Sequence, residues 1–431
     1  MKIPISLSQE FSGILDQLEY TNDHLFITGR AGTGKSTLLQ VFRNTTKKRV
    51  VVLAPTGIAA LNVRGQTIHS FFGFPPRLLN KTEIERRKNN RIYKNLDMVI
   101  IDEISMVRAD ILDNIDYFLR LNRGLNMPFG GVQMVFFGDL FQLPPVVSTP
   151  FEKQYFQTTY QTPYFFSAKI MQNIILKMVE LLHVYRQEER HFINLLDSIR
   201  LNSLDYEDFM YLNERNLPLP DEDDFFITLC SRNDIANRIN EHELKTIPLP
   251  EVAYQATVVG EFNPQLYPTE FNLILKEGAQ VMFVKNDLQK QYVNGTIGIV
   301  SEANYERIMV RIPDERGTEK TIEVDKQEWE ILKYENDAEK PHLINAKVVG
   351  TFKQYPLKLA WAITIHKSQG KTFDRVIIDL GGGAFESGQT YVALSRCRTL
   401  EGVILKQPLR NRDIIVDERI TEYYEHVKYL S

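Results

Sequence analysis

Four short stretches in the first half of the chain are almost wholly apolar: residues 24–28, 49–53, 98–101 and 132–137. Each stops at a Gly, a Pro or an acidic residue, and segments with helical spacing of apolar positions lie between them. A strand covered by helices on both faces needs no polar side, so the pattern predicts a parallel sheet in a doubly wound α/β domain. A second α/β set begins with an expected strand at 225–229, after the polar, Pro-containing linker 214–224, and resumes at 359–363 and 375–380. In between the texture changes. Alternating runs such as 280–284 and 298–300 are punctuated by Asn294-Gly295 and Glu315-Arg316-Gly317, which predicts a small antiparallel β-barrel inserted in the second domain. The expected boundaries are 1–180 for the first domain, 181–250 with 346–408 for the second, 251–345 for the barrel and 409–431 for a C-terminal helical segment.

A chain of 431 residues holds about two to four domains. With 43% hydrophobic and 25% charged residues it is neither a disordered chain nor a coiled-coil rod. Two cysteines cannot build a disulfide framework, which fits a reducing intracellular setting. No apolar run approaches the roughly 20 residues that span a bilayer, and the first residues lack a signal-peptide core, so neither membrane nor targeting signal is expected. The net charge of −4 at first disfavours nucleic acid as a partner. Its distribution removes the objection. Residues 251–345 carry 10 Lys and Arg against 17 Asp and Glu, and the chain without them and without 214–224 carries 40 against 33. Mildly basic domains fit DNA with a modest phosphate footprint and a shallow salt dependence.

The run Gly29-Arg30-Ala31-Gly32-Thr33-Gly34-Lys35-Ser36 matches a phosphate-binding loop in full, with an expected strand before it and a helix from Thr37 after it. Gly29, Gly32 and Gly34 let backbone N–H groups turn toward phosphate around Thr33, at a helix N-terminus. Lys35 is expected to reach the β- and γ-phosphates, and the Ser36 hydroxyl to hold Mg²⁺. Asp102 and Glu103 end the next acidic strand: Asp102 for the metal, Glu103 to position or deprotonate the attacking water. Gln142, in Gly138-Asp139-Leu140-Phe141-Gln142-Leu143-Pro144-Pro145, is placed to sense the γ-phosphate. A GTPase switch would carry Asp-x-x-Gly where this chain has Asp102-Glu103-Ile104-Ser105, so the cofactors expected are ATP and Mg²⁺.

Together these motifs resemble superfamily-one DNA helicases of the Pif type, with RecD-like helicases as near relatives. The resemblance also rests on Ala54-Pro55-Thr56-Gly57-Ile58-Ala59-Ala60, Thr67-Ile68-His69-Ser70-Phe71 and Tyr185-Arg186-Gln187. It continues through Thr364-Ile365-His366-Lys367-Ser368-Gln369-Gly370 and Tyr391-Val392-Ala393-Leu394-Ser395-Arg396. Pro128-Phe129-Gly130-Gly131 looks like the segment that separates this family from RecD-like relatives. The resemblance implies two RecA-like domains with ATP in the cleft between them, Arg186 and Arg396 as the arginines directed at the γ-phosphate, and Gly370 near the nucleotide. It implies 5′→3′ movement, activity on forked duplexes, G-quadruplexes and RNA–DNA hybrids, and roles in DNA replication, repair, recombination and telomere maintenance. One departure stands out. The family usually places an adenine-reading Gln where this chain has Phe11, which leaves Gln9 or Gln17 as substitutes, or a weak selectivity for adenine.

Single-stranded DNA is held by donors for phosphate and aromatic faces for bases. Expected contacts are Thr56, His69, Phe71 and Phe72 from the first domain and Thr364, His366 and Lys367 from the second. A basic segment at about 73–97, with seven Lys and Arg against two Glu between Arg77 and Asn95, is expected at the duplex junction as a wedge. The sequence thus reads as a monomeric ATP-dependent DNA helicase. The alternatives are a translocase that leaves strands paired and a nucleotide-gated DNA-binding module.

Overall fold

The computed structural model describes residues 9–147, 149–220, 225–287, 289–313, 318–337, 339–340 and 342–430, without the side chains of Gln9, Tyr429 and Leu430. The turn expected at Glu315-Arg316-Gly317, part of the linker 214–224 and the Gln9 side chain therefore lie outside the described residues. The chain forms two compact units made of discontinuous segments. The first contains residues up to Tyr185, then Ile331–Val349 and the C-terminal part from Asp417; the second contains Arg186–Glu330 and Gly350–Val416.

The first unit is built on a parallel sheet of strands β1 (His24–Gly29), β2 (Val50–Ala54), β3 (Gln66–Thr67), β4 (Met98–Ile101), β5 (Gln133–Phe137) and β6 (Leu176–Leu181). Their spatial order is β3-β2-β4-β5-β1-β6. The four predicted strands are present, and β4 and β5 are buried at every position. Helices α1 (Gln9–Tyr20) and α2 (Lys35–Thr45) cover one face: Phe11, Ile14, Leu18, Leu38, Leu39 and Phe42 pack on Leu25, Ile27, Val52 and Phe137. Registers Ile27↔Phe137 and Ile101↔Phe136 bring the carboxyl ends of β1, β4 and β5 to one edge.

Two elements from far along the chain complete this unit. Tyr334 is buried; its hydroxyl accepts a hydrogen bond from the Val52 amide at 3.1 Å, and its own amide donates to Gln66 Oε1 at 3.3 Å. The helix Glu418–Leu430 brings the Tyr424 ring to 5.3 Å from Phe141 and its hydroxyl onto Glu180. Residues 331–345, assigned from sequence to the inserted module, therefore pack within the first unit, because Tyr334 finds its partners there.

In the second unit, β7 (Ile227–Cys230) is followed by the antiparallel strands β8 (Val252–Gln255), β9 (Thr257–Gly260), β10 (Asn272–Leu275), β11 (Gln280–Phe283), β12 (Ile297–Ala303), β13 (Ile308–Pro313) and β14 (Glu319–Glu323). Strands β15 (Gln327–Asn336) and β16 (Ile344–Gln354) continue from one unit's residues into the other's, and β17 (Leu357–Leu359) follows. A sheet of order β14-β13-β12-β11-β17 and smaller sheets enclose Leu273, Val281, Phe283, Val300, Val310 and Leu357. The chain then returns through β18 (Ala362–Thr364), β19 (Val376–Asp379) and β20 (Val403–Leu405), which form a parallel sheet of order β18-β7-β19-β20.

The apolar run 359–363, read from sequence as one strand, serves two sheets. Leu359 pairs antiparallel with Val281, whereas Ala362 pairs parallel with Thr228. Gln280 fixes the break: its side-chain amide donates to the carbonyl oxygens of Ala360 and Phe226, at 2.8 and 2.7 Å. Among the described residues no helix is long and apolar enough to cross a membrane.

Candidate functional site

The phosphate-loop motif follows β1 and opens α2. Gly29, Gly32 and Gly34 have φ of 147°, 86° and 84°, which side chains rarely adopt. A Cβ on Gly29 would lie 2.7 Å from the Leu181 carbonyl oxygen, so only glycine fits at the end of β1 where it pairs with β6. Thr33 is buried with its hydroxyl on the Arg30 carbonyl oxygen, whereas Ser36 and Thr37 face solvent in the first turn of α2. Lys35 folds back over the loop and donates to the carbonyl oxygens of Gly29 and Arg30 at 2.7 and 2.9 Å. These neutral acceptors keep the ammonium above the loop, where phosphate would be the stronger partner.

Asp102 leaves β4 at the same edge and is buried. Burial, and next the charge of Glu103, raise its proton affinity, while Lys35 acts in the opposite sense. Glu103 has φ 51°, a left-handed conformation uncommon for a residue with a side chain, and it opens a short 3₁₀ turn. After β5, Asp139 is buried and accepts from the Phe141 amide at 3.2 Å and from Gln142 Nε2 at 3.3 Å. Parallel pairing thus brings the Gly29–Ser36 loop, the Asp102-Glu103 pair and the Asp139–Gln142 turn to one sheet edge, as expected for ligand sites in such sheets.

Phe11, in the slot where the resemblance leads one to expect Gln, is buried against the same loop. A Cβ built on Gly34 would lie 3.1 Å from its ring and 3.7 Å from that of Tyr185. The Phe11 and Tyr185 rings meet edge to face at 6.5 Å, and Tyr185 anchors its backbone by donating to the Gly32 carbonyl oxygen. This aromatic corner was not assigned from sequence, although Tyr185 stands in a quoted motif.

Thr56 and His69 follow β2 and β3, so they emerge at the carboxyl edge of the same sheet. Thr56 is exposed and caps the helix Gly57–Asn62. His69 is partly buried, and burial followed by Arg108 lowers its proton affinity. Phe71 and Phe72 do not offer faces to bases. Phe72 is fully buried and Phe71 nearly so, in a cluster with Phe74, Tyr93, Phe118 and Tyr334 at ring distances of 4.8–6.1 Å. Six aromatic side chains satisfy each other there, and core packing prevails over the stacking role expected for these two. Within the basic segment, Arg87 donates to the Phe72 carbonyl oxygen at 2.8 Å, and Arg77 pairs with Glu83.

In the second unit, Thr364 is buried and caps the short helix Ile365–Ser368. His366 Nε2 lies 3.1 Å from Glu386, Lys367 is exposed, and Gly370 turns the chain at φ 76°. Arg186 and Arg396 lie close together. Arg186 donates to the Ser395 carbonyl oxygen at 3.0 Å, and its basicity is pushed down to about 9 by burial and then by Arg396. Arg396 is 1% exposed; its guanidinium donates to the Val392 carbonyl oxygen, Ser395 Oγ and the Lys371 carbonyl oxygen. Gln187, given no role from sequence, is buried and donates to the carbonyl oxygens of Ser395 and Cys397 at 3.2 and 2.8 Å. The adjacency Arg186-Gln187 was the available signal.

The segment Pro128–Gly131 is a left-handed turn with Phe129 at φ 51° and Gly130 at φ 59°. The Phe129 amide donates to Asp116 Oδ1 at 2.6 Å, and Arg123 Nε donates to the Gly130 carbonyl oxygen at 2.6 Å. Both partners lie on the helix Ala109–Arg123, which this turn anchors in front of β5.

Residues 6–208 match the model of the PIF1-like helicase family. A bacterial relative, the ATP-dependent DNA helicase Pif1 of Bdellovibrio bacteriovorus, is 34% identical over 99% of this chain and 93% of its own length. The Xenopus laevis ATP-dependent DNA helicase PIF1 is 36% identical over 93% of this chain, which spans 61% of that longer protein. The crystal structure of Bacteroides sp Pif1 in complex with ADP-AlF4 covers 99% of this chain and 98% of its own, with a TM-score of 0.90 at 35% identity. Bacteroides Pif1 in complex with ADP-AlF3 and ssDNA matches 98% of this chain and 97% of its own, with a TM-score of 0.69 at 36% identity. By identity over nearly its whole length, as by its motifs, the chain belongs to the PIF1-like helicase family.

Proposed function

We propose that this chain is an ATP- and Mg²⁺-dependent DNA helicase that moves 5′→3′ along single-stranded DNA and opens forked duplexes. In this reading each parallel sheet is the core of a RecA-like module, and the antiparallel strands between β7 and β18 form a small barrel inserted in the second. G-quadruplexes and RNA–DNA hybrids are further substrates. The observation that carries the reading is the meeting of Lys35, Asp102, Glu103 and Gln142 at one sheet edge, in a chain whose relatives are named ATP-dependent DNA helicases.

The roles follow from the chemistry of each group. Backbone N–H groups of the glycine-rich loop bind phosphate, and Lys35 exchanges two neutral carbonyl acceptors for phosphate oxygens. Ser36 and Asp102 are the oxygen donors suited to Mg²⁺, and the raised proton affinity of Asp102 marks a buried carboxylate whose charge a cation would offset. When bound, that ion neutralises charge on the phosphate oxygens. Glu103 positions or deprotonates the attacking water, Gln142, bonded to Asp139, senses the γ-phosphate, and Arg186 and Arg396 stabilise charge as the phosphoryl group transfers. Thr56, His69, Thr364, His366 and Lys367 hold the strand by phosphate contacts.

The deciding experiment compares ATP-driven separation of duplexes with a 5′ or a 3′ single-stranded tail. Separation of the 5′-tailed fork alone, lost in Lys35→Ala, is the expected result. Unwinding that persists in Lys35→Ala would sink the mechanism, and ATP hydrolysis without separation would make the chain a translocase.

A further inference from the structure

Three lysines of the second unit feel one another's charge where the loop joining β11 to β12 meets the chain just after Gly370. Lys358 stands on β17, Lys367 on the short helix after β18, and Lys371 just beyond the turn at Gly370. Lys371 Nζ donates to Asn294 Oδ1 at 2.9 Å, so its partner is a neutral amide and not a carboxylate. Asn294 belongs to the loop joining β11 to β12, and the fit there is tight. Gly295 has φ 104°, and a Cβ on it would lie 3.0 Å from the Thr372 carbonyl oxygen. Both Lys358 and Lys371 are partly buried. Burial lowers the basicity of each: Lys371 falls to about 8, with Lys358 as the second cause, and Lys358 is further lowered by Lys367 against the opposing charge of Glu270.

Glu270 sets one negative charge against Lys358, whereas the Lys371 ammonium, drawn out of water and held by a neutral amide, is left for an anion to complete. Asn294 uses its oxygen on Lys371, so its amide has N–H donors to offer. Two cations and an amide on this scale fit one phosphate group better than a planar base or a carboxylate pair.

We propose that Lys358, Lys371 and Asn294 form a seat for one backbone phosphate of single-stranded DNA, next to the contacts at Thr364, His366 and Lys367. The inference rests on the helicase reading above and adds to it a task for the inserted strands: the β11–β12 loop orients Lys371. It also connects DNA to the nucleotide chemistry, because the carbonyl oxygen of Lys371 accepts from Arg396 at 3.5 Å.

The test is the salt dependence of binding to fluorescein-labelled oligo(dT), measured by anisotropy for the full chain and for Lys358→Met, Lys371→Met and Lys371→Arg. Loss of one phosphate contact reduces the slope of log affinity on log salt by about 0.7, which is about a fivefold loss of affinity at 0.1 M salt. That change is expected for both Met variants, with Lys371→Arg close to the parent. A higher oligo(dT) concentration for half-maximal ATPase stimulation should accompany it. A structural lysine would alter thermal stability without altering the slope, and Lys358→Met keeps the test valid if Lys371→Met folds poorly. Parent-like slope and affinity in both Met variants would overturn the seat while leaving the helicase reading intact. Absence of oligo(dT) binding by the parent would remove both. If the loss falls instead on the affinity of DNA-free protein for fluorescent mant-ADP, the phosphate is the nucleotide's and the DNA assignment is wrong.

Discussion

Arg186 donates to the carbonyl oxygen of Ser395 at 3.0 Å, one residue before Arg396, whose charge adds to burial in lowering the basicity of Arg186. Gln187 secures this arrangement from the next position by bonding Ser395 and Cys397. Replacing Gln187 by Ala should leave buried carbonyls without that donor and cost about 1–3 kcal/mol. Turnover should fall more than nucleotide affinity, because the amide touches the arginine-bearing segments and not the phosphate loop. Urea midpoints and stopped-flow ATP hydrolysis check both halves.

Arg396 itself gives a second test. Arg396→Ala should keep nucleotide binding and lose DNA-stimulated turnover. Because the guanidinium is fully buried and fixed by three acceptors, Arg396→Lys should fail as well, keeping a charge but not the fork. Normal DNA-stimulated ATPase in either variant would remove the role assigned to it.

Phe72 should behave as a core residue. Its removal in Phe72→Ala should cost about 3–5 kcal/mol of stability. Oligo(dT) affinity, measured at a temperature where the variant is folded, should stay at the parent level. A selective loss of DNA binding without loss of melting temperature would restore the stacking role.

The turn at Pro128–Gly131 should depend on Gly130. At φ 59°, with a Cβ 2.8 Å from the Leu119 carbonyl oxygen and 2.8 Å from Arg123 Cδ, Gly130→Ala adds backbone strain to steric conflict. A loss of more than about 1 kcal/mol is expected in urea titration, with Gly124→Ala, whose added Cβ meets nothing within 4 Å, losing less.

His24 opens β1 and accepts a hydrogen bond from the Met134 amide at Nδ1, 3.0 Å, so it serves as a neutral imidazole. Burial holds its pKa below the ordinary value of 6.5, against the opposing charge of Asp23. The unfolded chain then binds the proton more readily, so stability is fully present above pH 6.5 and is lost as pH falls through the folded value. His24→Gln should flatten this loss between pH 7.5 and pH 5.5 when urea midpoints are compared. An unchanged acid slope would assign it to other groups, among them His69.

Legibility in the sequence followed the physics of each element. Buried parallel strands advertise themselves as apolar runs, and glycines needed for φ above zero stand at fixed spacing, so β1, β2, β4, β5 and the phosphate loop could be read directly. The run 359–363 could not, because apolarity reports burial and not which sheet a strand joins. Phe71 and Phe72 were equally opaque: a stacking ring and a core ring have the same composition, and only Tyr93, Phe118 and Tyr334 decide between them. Lys371 and Asn294 act on each other across a long stretch of chain, which no local pattern records, and Gln187 had only its place beside Arg186 to mark it.

Tyr334 and Tyr424 also set the order in which the protein can mature. As the chain leaves the ribosome, the first unit has its whole parallel sheet by Leu181, yet the hydroxyl that caps Val52 and the ring that covers Phe141 come from far downstream, at Tyr334 and Tyr424. The cover of that sheet therefore waits for residues made after much of the second unit, and a fragment stopped at Tyr185 would expose the apolar surfaces these two side chains cover. Nucleotide-binding competence should strengthen once Tyr334 and Tyr424 have joined that sheet.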